Sequence, residues 1–148
     1  MSKMSASVCG KNRKMTFNKS HIIKKASTFF SQRDDVLFAY LFGSHARDTA
    51  APYSDVDVAV YLTDANYDSE KKIALIAGLS TALGTDAVDL VILNQAPITL
   101  AKRVVEKHIV LIDREPTIRH QFESLTMRKY FDFSILEKAI LERRFIIG

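Results

Sequence analysis

Cysteine occurs once in the 148 residues, as Cys9, so no intramolecular disulfide can form and the stapled frameworks of small secreted domains are excluded. Proline is nearly as scarce: Pro52, Pro97 and Pro116 are the only three, and each falls where an element begins or ends. No apolar run approaches the roughly 20 residues that a membrane span requires. The opening MSKMSASVCGKNRK has no apolar stretch of signal-peptide length either. The expectation is a cytoplasmic protein that does not enter a membrane, with Cys9 an inert thiol.

Acidic residues are missing from positions 1 to 25, which carry seven Lys or Arg. The whole chain is +4, so the remainder is net −3, the difference between +4 and +7. A surface built for phosphate backbones would place its basic charge on the folded body, so nucleic acid is not the expected partner. Residues 1–15 read as a flexible basic arm, with Met15 an alternative start, and residues 16–148 as a single domain. That length suffices to bury about two thirds of the surface of the unfolded chain. Hydrophobic residues at 47% and charged residues at 26% are those of an ordinary globular domain.

Periodicity orders the elements. Asn18 or Ser20 caps a helix with Ile22, Ile23, Ala26, Phe29 and Phe30 on one side. Residues 36 to 42 are a continuous apolar run, expected as a buried strand that stops at Gly43. A second strand runs from Asp55 to Leu62, with Val56, Val58, Val60 and Leu62 on one face and Asp55, Asp57, Ala59 and Tyr61 on the other. Ser69 to Leu83 predicts a helix with Ile73, Ile76, Ala77 and Leu83 on its stripe and Gly84 ending it. A third strand spans Ala87 to Leu93, with Asp89 on the face of Ala87, Val91 and Leu93. Pro97 opens a helix to about Lys107, Ile109 to Ile112 form a short strand, and Pro116 onward is mostly helical. The order predicts an α/β (α+β) fold, a sheet with helices packed on it.

The chemistry lies in Leu41-Phe42-Gly43-Ser44-His45-Ala46-Arg47-Asp48 and Tyr53-Ser54-Asp55-Val56-Asp57-Val58. Carboxylates at i and i+2 of a strand point to one side, roughly 7 Å apart at their Cα atoms, and can converge on one hard cation. Gly43-Ser44, between strand and turn, lets the backbone approach a ligand and offers N–H and hydroxyl donors to phosphate oxygens. Asp89 is an acid inside an apolar strand, where an unpaired carboxylate is costly. If its strand adjoins that of Asp55 and Asp57, the three acids form one cluster, which needs a cation to offset repulsion. Such parts suit transfer of a nucleotidyl group with two metal ions. Asp55 and Asp57 would hold the ion on the triphosphate, Asp89 would hold a second and accept a proton, and Ser44 and its turn would grip phosphates. Each piece alone has a plainer reading. A DxD is commonly a strand-edge feature, Gly-Ser a turn, Asp89 a helix cap, Arg47 an ion-pair partner, and His45 an unconstrained position. The joint spacing is what carries weight.

Gly43-Ser44, ten residues, then Asp55-Val56-Asp57 resembles the GSx10DxD signature of the DNA polymerase β-like nucleotidyltransferases. LFGSHAR, the third acid in VDLVIL, and RHQFESLTMRKYFDF are similar to their minimal members, the MntA antitoxins of MntA/HepT toxin–antitoxin pairs. The resemblance implies a polymerase β palm-like fold, a mixed sheet flanked by helices. It also implies Mg²⁺, two ions, and ATP as substrate, with AMP transferred to a tyrosine of a HepT-type toxin that is thereby neutralised. Gly43, Ser44 and Arg47 carry over as the nucleotide-binding turn, and Asp55, Asp57 and Asp89 as catalytic metal ligands. Asp48 departs from the frequent glycine at its position. Two alternatives stand beside this reading: a nucleotidyltransferase for a small hydroxylated substrate such as an aminoglycoside, and an antitoxin that only binds, its acids vestigial. The tail from residue 117 to 147 is richer in apolar residues than a terminal helix needs. It is expected to pack across the sheet, with part of it available to a partner.

Overall fold

The computed structural model describes residues 19–46, 55–64 and 67–147, with side chains to residue 144. Four strands, β1 (Val36–Phe42), β2 (Val56–Leu62), β3 (Val88–Ile92) and β4 (Ile109–Asp113), form one sheet in the order β3-β2-β1-β4. β1 is antiparallel to both β2 and β4, while β2 and β3 are parallel, so the sheet is mixed as expected. The parallel pair is joined by helix α2 (Ser69–Leu83), because parallel neighbours need a crossover rather than a hairpin.

One face of the sheet, carrying Val56, Val58, Val60 and Leu62, is covered by α2 and by α1 (Lys19–Ser31). In α1 the buried residues are Ile22, Ala26 and Phe30, one row at i, i+4 and i+8. In α2 the buried row is Leu75, Leu79 and Leu83, and Ile73, placed on the stripe by the sequence reading, is exposed instead. Apolar residues nearly encircle this helix, so the pattern admitted more than one face. Asp68 caps its start by accepting from Lys71 N–H, and Gly84 ends it at φ 76°. The last carbonyls of α1 are met by Arg114, whose guanidinium donates to Phe30, Ser31, Arg33 and Val36 carbonyls.

The other face is covered by α3 (Ile98–Glu106) and the start of α4 (Pro116–Ile147). Phe38, Tyr40 and Phe42 point to this side with Ala59 and Val104. Over it lies a connected polar group. Tyr40 donates its hydroxyl to Glu123 at 2.7 Å, Arg119 donates to Glu123 at 3.0 Å and to Asp113 at 2.8 Å, and the His108 ring lies 4.2 Å from that of Tyr40. Burial and the adjoining Glu123 push the Tyr40 hydroxyl far above its ordinary pKa, so it stays a neutral donor. The contacts of α4 pass from β4 through β1 to Tyr61 of β2 and then Leu93, just after β3. The start of the helix therefore lies over β4, β1 and β2 and reaches the turn that follows β3. It is one helix of 32 residues, and only its first half meets the body.

Candidate active site

Asp57 belongs to the alternating face of β2 that the sequence assigned to it. Its register partner on β1 is Phe42 and its register partner on β3 is Asp89. Residues paired in register on parallel strands point to the same side, with backbones about 4.8 Å apart. The two carboxylates are therefore neighbours on the face beneath α3. Asp55, two residues earlier, precedes the strand and is exposed, as is Asp89, whereas Asp57 is half-buried.

Gly43 follows directly on β1 and has φ 75°, the left-handed region. Its α-carbon lies against the Asp57 side chain, and a Cβ there would overlap that carboxylate and come within 3.0 Å of its Cγ. Glycine is thus required twice over, by the turn and by the space. Ser44 is half-buried in the same turn. Arg47 and Asp48 lie outside the described residues.

Burial raises the Asp57 carboxyl above its ordinary pKa, and the negative charges of Asp89 and then Asp55 push it the same way, against smaller opposing effects of His45 and Arg103. Two basic groups thus face the acids. Neither was singled out from the sequence. His45, read there as unconstrained, is in fact only 8% exposed and is electrostatically coupled to Asp57. Arg103 is brought in by α3, whose Val104 is packed in the cluster of Phe42. Nothing in the spacing of residues 98–106 announces that the helix lies over the acids.

Among the described residues no three His, Cys, Asp or Glu side chains already form a ready cation cage. The donors nonetheless fit Mg²⁺ in kind. They are carboxylates, and the repulsion felt at Asp57 from Asp89 and Asp55 is what a divalent ion relieves. The remaining ligands of such an ion are ordinarily waters and substrate phosphates.

The polymerase beta nucleotidyltransferase family profile matches residues 24–117, the stretch that holds every one of these groups. The chain belongs to that family. Among solved structures, a toxin–antitoxin crystal structure with AMP-PNP superposes with TM-score 0.68 at 29% identity, covering 86% of this chain and 98% of that one. A complex of tri-AMPylated Shewanella oneidensis HEPN toxin with MNT antitoxin matches with TM-score 0.67 at 27% identity, covering 85% and 98%. The toxin–antitoxin MntA–HepT gives 0.65 at 25%, covering 85% and 97%. Among curated proteins no sequence match is found. The family carries nucleotidyl transfer, and its fold is the mixed sheet with helices on both faces described above. No helix among the described residues is long and apolar enough to cross a membrane.

Proposed function

We propose that this nucleotidyltransferase is an antitoxin that moves AMP from ATP onto a tyrosine hydroxyl of a cognate HepT-type toxin and so neutralises it. The observation that carries the reading is Asp57 in register with Asp89, under the turn of Gly43 and Ser44. The likeness to antitoxins crystallised with AMP-PNP and with an AMPylated toxin supports the nucleotide and the kind of acceptor.

In this reading the acceptor hydroxyl oxygen attacks the α-phosphorus of ATP. The new O–P bond forms as the bond to the β-phosphate bridging oxygen breaks, and diphosphate leaves. Asp89, exposed at the edge strand, takes the hydroxyl proton. Asp55 and Asp57, with Asp89, are the carboxylates that would hold magnesium, which would supply charge neutralisation for the transfer. Ser44 and the turn after Gly43 donate to phosphate oxygens, and Arg47, three residues on in the sequence, is assigned to the same nucleotide. Arg103, whose charge acts on Asp57, adds positive charge beside the acids for the triphosphate.

Incubation of the protein with α-labelled ATP, magnesium and its cognate HepT-type toxin tests this. Label on the toxin, lost with Asp55→Asn and Asp57→Asn together, is the expected result. Tight binding without any label would overturn transfer and favour an antitoxin that acts by occlusion alone.

A further inference from the structure

Beyond Tyr130, α4 leaves the body. Thr126 is buried, and the Tyr130 ring is held by Lys102 Nζ at 4.9 Å. After it only Ser134 is even half-buried up to residue 144. The helix continues to Ile147, roughly 25 Å at 1.5 Å per residue. This overhang is apolar where water reaches it: Phe131 is 65% exposed, Ile135 54%, Leu136 60% and Ile140 51%.

These residues form two stripes. Phe133, Leu136 and Ile140, at i, i+3 and i+7, continue the side on which Ile118 and Phe122 meet the sheet, and border a shallow groove of about 320 Å³. Met127, Phe131 and Ile135, at i, i+4 and i+8, lie roughly half a turn away around the helix. The charges of the overhang are balanced, with Asp132, Glu137 and Glu142 against Lys138, Arg143 and Arg144. A single flat contact, including a symmetric pairing with a second copy of this helix, covers one stripe and leaves the other in water. A groove with two apolar walls covers both.

We propose that the overhang of α4 is the segment by which this chain is gripped by its toxin, both stripes buried in one apolar groove of that partner. The inference rests on the antitoxin reading above and deepens it. The occupant is argued from two observations. Solved relatives at 25% identity or more come from toxin–antitoxin structures. Two opposed stripes demand a two-walled site.

The test uses the full chain and its purified cognate HepT-type toxin. Affinity is measured by calorimetry for Phe131→Glu with Ile135→Glu, and for Leu136→Glu with Ile140→Glu. The corresponding alanine pairs, which favour the helix, are the milder variants. Circular dichroism and sedimentation are recorded on the chain alone. Each glutamate pair is expected to weaken toxin binding by about 100-fold or more and each alanine pair by about tenfold, with helicity unchanged. Wild-type affinity in either alanine pair overturns the two-walled groove. Loss of self-association with toxin binding intact overturns the toxin as occupant. The AMP-transfer arm separates this from the reading it rests on. The glutamate pairs are expected to raise the half-saturating toxin concentration while the rate at saturation stays. Affinity losses measured with no transfer at any toxin concentration support the docking surface and overturn the transfer reading instead.

Discussion

Asp57 stands opposite Asp89 in the parallel register of β2 and β3, and its carboxylate fills the space that a side chain on Gly43 would occupy. An aspartate in that position is held by its neighbours on three sides: a glycine turn, a second acid and an aromatic strand. It is also the acid whose ionisation the fold resists.

That resistance gives a pH-dependent prediction for the metal-free protein. With its native pKa raised above the ordinary 3.8, Asp57 binds protons more tightly folded than unfolded. Its contribution is therefore destabilising above the ordinary value and absent at pH well below it. Asp57→Asn is expected to raise the thermal midpoint at pH 7 without metal, with the gain vanishing as pH falls below about 4. Thermal melts across pH check this, and a lowered midpoint at pH 7 would contradict it.

Gly43→Ala combines left-handed backbone with overlap on the Asp57 carboxylate. A stability loss of about 1 to 2 kcal/mol is expected from the backbone alone. AMP transfer is expected to fall by far more than unfolding explains, because the carboxylate must move. Transfer assayed well below the melting range separates the two effects.

Arg103→Ala removes an exposed cation that acts on Asp57. Folding is expected to be unchanged. The kcat/KM for ATP is expected to fall by about 10- to 100-fold, the loss of one charged hydrogen bond to phosphate. Unchanged kinetics would remove Arg103 from the site.

Under α4, Arg119 is the cation shared by Asp113 and Glu123, and Asp113 Oδ1 already lacks a hydrogen-bond partner. Arg119→Ala is expected to cost about 1.5 to 3 kcal/mol in chemical denaturation. Tyr40→Phe, which leaves Glu123 with its arginine, is expected to cost about 1 kcal/mol.

Much of this arrangement was legible in the chain. The alternation from Val56 to Leu62 assigned Asp57 to its face, and the position of Asp89 among Ala87, Val91 and Leu93 did the same. What residues alone left open was whether the two strands adjoin, and the pairing settles that in register. Strand ends were sharper than the pattern, with β2 starting at Val56 rather than Asp55 and β3 ending at Ile92 before a short 3-10 turn. The tail was misjudged in part. Its apolar excess was visible, but periodicity cannot tell a core stripe from one that overhangs, and Phe131, Leu136 and Ile140 proved exposed. His45 and Arg103 depend on packing of a turn and a helix against the acids, which no local spacing records. Arg47 lies outside the described residues.

The central claim is that Asp55, Asp57 and Asp89 hold divalent ions with the nucleotide. Counting bound Mn²⁺ by electron paramagnetic resonance, with a non-hydrolysable ATP analogue present, tests it most directly. Two ions are expected for the wild-type chain, with protein-dependent binding lost in Asp57→Asn and weakened in Asp89→Asn. Unaltered Mn²⁺ stoichiometry and affinity in both variants would contradict the account.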